Sequence, residues 1–289
     1  MSPQANSTTR RAPLLMGILN LTPDSFSDGG RFTRIDEAVA HGLRMAREGA
    51  AIIDVGGEST RPGSERVNEV EQMRRVIEPI RRLRAELDHA GFQKVVISID
   101  TTSAKVAQAA LDSGAGILND ISAGREDPGM FGLAARRGVP IVLMHMLGEP
   151  GTMQDQPRYE DVVGEVLGFL IQRVEAAVAA GVERGKIWID PGIGFGKALD
   201  HNLALLGALD RFVATGLPVL LGVSRKRFIS GCCADLGFTP GPEDRLPGTL
   251  AGGLIGAAAG VHALRVHDVS EHRQALGVFL SVELNTSRT

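Results

Sequence analysis

Apolar and polar positions along this chain follow two alternating patterns. Short runs rich in Val, Ile and Leu recur, and each is followed by a longer stretch with apolar residues at helical spacing. The runs span 14–20 (LLMGILN), 51–57 (AIIDVGG), 95–100 (VVISID), 116–120 (GILND), 140–146 (PIVLMHM), 186–191 (KIWIDP), 218–224 (PVLLGVS) and 263–268 (ALRVHD). Helical patterns lie near 35–48, 67–88, 103–112, 128–137, 159–180, 200–213, 246–260 and 270–283. Eight units of each predict a closed parallel (β/α)8 barrel, a TIM barrel of the α/β class, as a single domain over residues 14–284. The near-continuous apolar runs fit strands covered on both faces. An open doubly wound sheet is the alternative. It would carry a glycine-rich fingerprint after the first strand, where this chain has Asn20-Leu21-Thr22-Pro23-Asp24. Residues 1–13 are polar and read as a flexible tail without a targeting segment.

Composition narrows the function classes. A formal charge of -3 gives no reason to expect a nucleic-acid partner, and no apolar stretch is long enough to span a membrane. The two cysteines, Cys232 and Cys233, are adjacent, which suits neither a disulfide framework nor a CxxC site and fits a reducing cytoplasm. The 36 glycines in 289 residues predict many tight turns or close backbone approaches.

In a parallel barrel the chemistry sits at the carboxyl ends of the strands. Here those ends are polar throughout: Asn20; Glu58 to Arg61; Asp100; Asn119-Asp120; His145; Asp190; Ser224-Arg225-Lys226; and Arg265 with His267-Asp268. Any one of them reads equally well as a helix cap. Together they suggest a rim. Asp100, Asn119, Asp190 and Lys226 suit a flat, nitrogen-rich heterocycle, because carboxylates accept paired N–H bonds, an amide both donates and accepts, and an ammonium donates to a ring carbonyl or nitrogen. A buried Asp190–Lys226 ion pair is the plainer alternative. Arg61, Arg265 and His267 supply positive charge, and Asn20 offers an oxygen to Mg²⁺, a combination suited to a polyphosphate.

The loops around 22–30 and 56–63 combine glycines with hydroxyls and carboxylates, as a lid over a site would. Other motifs fall away. Gly192-Ile193-Gly194-Phe195-Gly196-Lys197 lacks the GxxxxGK[ST] spacing of a phosphate loop, and neither HExxH nor GxSxG occurs.

The strings GILNLTPDSFSDGG from Gly17, GGESTRPG from Gly56, SIDT from Ser98, LND from Leu118, DPGIGFGK from Asp190, GVSRKRFI from Gly222, DRLPGT from Asp244 and RVHD from Arg265 closely resemble the dihydropteroate synthase family. The resemblance runs from about Leu14 to the last helix. It implies a (β/α)8 barrel, commonly a homodimer, that joins 6-hydroxymethyl-7,8-dihydropterin diphosphate to para-aminobenzoate in folate biosynthesis. Sulfonamide drugs imitate the second substrate. The resemblance assigns Asn20 to a Mg²⁺ site and Asp100, Asn119, Asp190 and Lys226 to the pterin. Met144 and Phe195 match residues lining that pocket, Thr60 and Arg61 lie on the second loop, and Arg265, Val266 and His267 match the diphosphate end. The implied catalytic set is Asp100, Asp190, Lys226, Arg265 and His267. One position departs: some members carry serine after the lysine, where this chain has Arg227. Its guanidinium could meet the arylamine's carboxylate or point to solvent. A pterin-dependent methyltransferase and a non-catalytic pterin binder are the rival functions.

Overall fold

The computed structural model describes residues 12–21, 31–58, 66–148, 153 and 157–286. Eight strands among them are β1 (Leu14–Asn20), β2 (Ile52–Gly56), β3 (Val96–Asp100), β4 (Ile117–Asp120), β5 (Ile141–Met144), β6 (Ile187–Asp190), β7 (Leu220–Leu221) and β8 (Ala263–Val266). Every strand pairing is parallel, in the order β6-β5-β4-β3-β2-β1-β8-β7. A parallel bridge between Ile189 and Val219 brings the two edge strands together, so the ring is nearly closed. The open-sheet alternative therefore fails.

The helices are α1 (Arg31–Glu48), α2 (Glu69–His89), α3 (Ala104–Asp112), α4 (Gly129–Arg137), α5 (Val162–Ala179), α6 (Leu199–Gly207), α7 (Leu209–Val213), α8 (Phe228–Ala234), α9 (Leu246–Ala259) and α10 (Val269–Thr286). Side-chain caps start three of them: Asn68, Ser103 and Asp161 accept from the backbone N–H of Glu71, Val106 and Gly164. Three features differ from the sequence pattern. The stretch 200–213 is broken at Ala208 into α6 and α7, and a short α8 is added before α9. β7 is two residues long because Pro218 lacks an N–H and the chain turns away after Gly222. The tail expected over residues 1–13 falls mostly outside the described residues.

Strand alternation sorts the side chains into two cores. Leu15, Ile53, Ile97, Leu118, Ile189 and Leu264 face the helices in one large cluster. Met16, Ile52, Ile117, Val142, Trp188, Leu220 and Ala263 plug the barrel interior. The glycines of α9 allow close approach to the barrel: a Cβ on Gly256 would stand 2.5 Å from Leu221 Cδ2. Above the interior plug the inward positions become polar, and this is where the site begins.

Candidate active site

Register explains why the polar strand ends share one level. Asn20 is the Cα partner of Gly56, Gly56 of Asp100, and Asp100 of Asn119, while Met144 partners Asp190. These residues fall on inward positions of their strands, so their side chains line the barrel mouth. Gly56 adds no side chain there. Its missing Cβ leaves a gap between Asn20 Oδ1 and Asp100 Oδ2, which lie 3.7 and 3.8 Å from where that atom would stand.

A charged hydrogen-bond network holds this level in place. Arg265 donates through Nε to Asp54 Oδ2 at 2.6 Å and through Nη2 to Asp100 Oδ2 at 2.8 Å. Asn119 Nδ2 donates to the same Asp54 oxygen at 3.0 Å. Asp54 lies wholly buried on β2, with its Oδ1 unpartnered among the described residues. Burial raises the Asp100 pKa; Arg265 opposes the rise, and the like charge of Asp54 adds to it.

Asp190 and Lys226 lie on the opposite side. Asp190 is buried and accepts the Gly192 N–H at 2.7 Å; burial raises its pKa against the pull of Lys226. The Lys226 ammonium donates to the Ile193 carbonyl and lies 4.6 Å from the centre of the Phe195 ring. Burial lowers its pKa to about 8, although Asp190 draws it upward. The direct Asp190–Lys226 ion pair is absent among the described contacts, so both groups keep bonding capacity toward the mouth. Phe195 packs with Ile121, Met144, Met146 and Met153 into an apolar shelf beside them. His267 is positioned by Ser224, whose Oγ lies 2.9 Å from His267 Nδ1 and accepts the His267 backbone N–H at 3.2 Å.

The structure thus gathers Asn20, Asp100, Asn119, Met144, Asp190, Phe195, Lys226, Arg265 and His267 around one opening. Val266 lies between the last two with its side chain turned into the helix-facing core, 1% exposed, because 265 and 267 share one strand face and 266 takes the other; only its backbone faces the opening. Thr60 and Arg61, and most of the two expected lid loops, lie outside the described residues. Arg227 is exposed, just before α8. Arg225 is a strut: at φ 56° it bonds Asp268 and Glu243. Asp120 braces the turn after β4 and caps no helix: it accepts from the backbone N–H groups of Ser122 and Gly124, while α4 starts after Pro128 without a side-chain cap.

Two residues that the sequence pattern did not mark as functional emerge here. Asp54 stands inside an apolar run, and the detectable signal was a carboxylate two residues before a strand-end glycine, on the inward face. Lys197, in the string that fails as a phosphate loop, is 2% exposed. Its ammonium reaches the Phe195 carbonyl at 2.9 Å, the His145 carbonyl at 3.3 Å and His145 Nδ1 at 3.0 Å. Burial, with Lys197 and Arg125 nearby, holds the His145 pKa down to about 3, so the neutral ring accepts at Nδ1. Gly192 completes this knot at φ 68°, where a Cβ would stand 1.9 Å from the His145 carbonyl oxygen.

Burial also lowers the Lys197 pKa from 10.5 to about 7. Between those values the unfolded chain binds more protons than the folded one, so this group's contribution to stability rises with pH. Compared with Lys197→Met, the wild type is expected to gain up to about 1.4 kcal/mol per pH unit across that window. Urea unfolding of both proteins at pH 7 and pH 9 checks this; a difference that does not move with pH excludes it.

Among the described residues, no group of three or more His, Cys, Asp or Glu side chains could hold a metal ion, and no helix is long and apolar enough to cross a membrane. The model of the family described as pterin binding enzyme matches residues 16–267. A dihydropteroate synthase of Mycobacterium leprae is 48% identical over 266 residues, covering 91% of each chain. The Xanthomonas albilineans dihydropteroate synthase solved with 4-aminobenzoic acid superposes with a TM-score of 0.85 at 46% identity, covering 94% of this chain and 93% of that one. The same organism's enzyme in complex with 7,8-dihydropteroate gives 0.82 at 43% identity, covering 95% of both. With a family match that spans every strand from β1 to β8 and relatives alike over almost their whole length, this chain belongs to the pterin binding enzymes, among the dihydropteroate synthases.

Proposed function

We propose that this site condenses 6-hydroxymethyl-7,8-dihydropterin diphosphate with para-aminobenzoate, giving 7,8-dihydropteroate and diphosphate, by a dissociative, SN1-like route. The observation that carries the reading is the convergence of Asp100, Asn119, Asp190 and Lys226 beside the Phe195 shelf, with Arg265 and His267 on the last strand. In this reading Asp190 accepts two N–H bonds from the amino-amidine edge of the pterin, Asn119 both accepts and donates, and Lys226 donates to the ring oxygen or nitrogen. Met144 and Phe195 cover the flat faces.

The bond between the pterin methylene carbon and the bridging oxygen breaks first, and its electron pair leaves with diphosphate. The cation left behind delocalises into the ring, where the charges of Asp100 and Asp190 favour it more than they favour the neutral ground state. The arylamine nitrogen then attacks the methylene and loses a proton to solvent. Arg265 and His267 stabilise the departing anion, with Thr60 and Arg61 on the second loop assigned to the same two substrates. No covalent enzyme intermediate is needed.

Asn20 Oδ1, a hard oxygen at the Gly56 gap, suits Mg²⁺, which keeps several waters and takes phosphate oxygens, whereas Asp100 Oδ2 across the gap is engaged by Arg265. Asn20 would hold the ion, and its chemistry there would be charge neutralisation on the leaving group. Homodimer formation belongs to the same proposal, supported by the exposed apolar side chains of Ile255, Val278 and Val282 on α9 and α10. The free cysteines support a reducing cytoplasm as its location.

The test is diphosphate release from the pterin diphosphate ester with and without para-aminobenzoate. Release that depends on the arylamine and matches pteroate formation is expected. Pterin binding without release would mark a non-catalytic binder, and methyl transfer from methyltetrahydrofolate would mark the methyltransferase. In calorimetry, a chelator is expected to weaken binding of the diphosphate ester by tenfold or more while leaving bare 6-hydroxymethylpterin unchanged; equal losses would remove Mg²⁺ from the proposal.

A further inference from the structure

We infer that Asp54 is a specificity-determining positioning residue, which holds the Asn119 amide in one of its two flips and aims the Arg265 guanidinium. The inference rests on the synthase reading of the site and goes beyond it, because Asp54 lies one layer beneath the residues assigned to the pterin.

The argument starts from what a carboxylate can do. Asp54 Oδ2 acts as an acceptor, since it takes the Arg265 Nε–H, so the face of Asn119 turned toward that oxygen must be its NH₂ group. The observed Nδ2–Oδ2 contact of 3.0 Å has that sense. A flipped amide would bring two acceptor oxygens together inside the barrel, where Asp54 is 0% and Asn119 4% exposed and no solvent separates them. Asn119 Oδ1 is thereby directed away from Asp54, and the amide offers its acceptor and its remaining N–H in one fixed order. A ligand edge with the reverse order meets repulsion. Asp54 Oδ2 also takes the Arg265 Nε–H at 2.6 Å, which leaves Nη2 directed at Asp100. One oxygen atom therefore sets the orientation of two side chains from β4 and β8, both at the mouth.

Asp54 Oδ1 has no partner among the described residues, and this decides the choice of variants. In Asp54→Asn the new carbonyl can take the place of Oδ2, still accept from both Asn119 and Arg265, and turn its NH₂ to the unpartnered side. Ser98, a Cα partner of Asp54 on β3, also has an unpartnered Oγ. Asp54→Leu fills a similar volume and accepts nothing.

The test is calorimetric binding of bare 6-hydroxymethylpterin together with steady-state kinetics. Asp54→Leu is expected to weaken pterin binding by tenfold or more and to lower kcat/KM for the diphosphate ester by 10²-fold or more, with the KM for para-aminobenzoate within threefold of wild type. Asp54→Asn is expected to restore pterin binding to within threefold of wild type. A Leu variant that binds like wild type overturns the role of Asp54. An Asn variant as poor as the Leu variant overturns the hydrogen-bond account in favour of charge alone. Should the Leu variant fail to fold, the unaltered protein still decides. In ¹⁵N-asparagine spectra, assigned by the loss of a signal in Asn119→Asp, one Asn119 amide proton is expected to exchange slowly both before and after pterin is added. Two fast-exchanging protons would refute the fixed flip. Wild-type protein that binds no pterin would overturn the synthase reading itself, a result separate from all of these.

Discussion

Replacing Arg265 with methionine is expected to cost about 3–5 kcal/mol of folding stability and to remove turnover, because it leaves the carboxylates of Asp54 and Asp100 buried without their cation. Both ion pairs are short, at 2.6 and 2.8 Å, and the Asp54 side chain is fully enclosed. Breaking one partner out of such a set costs more than the set contributes when whole, since the desolvated charges remain. The pH dependence gives the effect its signature. In the folded wild type the Asp100 pKa stands raised from 3.8 to about 7 by burial, with Arg265 holding it down. An Asp raised in this way makes the folded protein bind the extra proton, so stability falls as pH climbs from the unfolded value to the folded one. Without Arg265 the folded value rises further, and the variant goes on losing stability above pH 7 where the wild type has levelled off. Denaturant unfolding at pH 6 and pH 8.5 should therefore show a widening gap. A loss below about 1 kcal/mol at both pH values would mean the network does not bear on folding.

Asp190→Asn and Lys226→Ala are each expected to lower turnover by 10²-fold or more, about 2.7 kcal/mol of activation free energy. The two act differently. In Asp190→Asn the amide oxygen can still accept the Gly192 N–H that the carboxylate takes at 2.7 Å, so the β6 turn should survive while a donor replaces an acceptor at the pterin edge. Lys226→Ala removes both the donor to Ile193 and the cation over Phe195, which loosens the shelf as well as the ring contact. Steady-state kinetics beside thermal unfolding separates the cases: Asp190→Asn should keep its melting temperature within a few degrees of wild type. Wild-type turnover in both purified variants would dismiss the assignment.

Much of the architecture was legible in the chain because a strand buried on both faces leaves a strong local mark. Runs such as VVISID and KIWIDP placed β3 and β6 to within one residue at each end. The polar residue closing each run was visible for the same reason. Where the local mark was weak, the reading slipped. Residues 218–224 look like a full strand, but only Leu220–Leu221 pair with β8, and the seam to β6 is a single bridge. The RVHD string also does not show that the Val266 side chain turns into the core while Arg265 and His267 turn to the mouth, a division that appears once the strand is placed in the barrel. Lys197 stands in a string that fits no motif, and its burial against His145 depends on the turn at Gly192, where a Cβ would strike the His145 carbonyl.

By itself, the sequence determined a ring of parallel strands with polar ends, since alternation and apolar runs are properties of neighbouring residues and need no partner to be read. Tertiary structure alone decided who bonds to whom across the mouth. Arg265 meets Asp100 and Asp54 over chain separations of 165 and 211 residues, and Asn119 meets Asp54 over 65. The Arg265 contacts exist only once the ring has curled until β8 lies beside β1, and the Asn119 contact only once β2, β3 and β4 turn their inward side chains toward one interior. Closure is a property of the whole circle, and no window of the chain contains it.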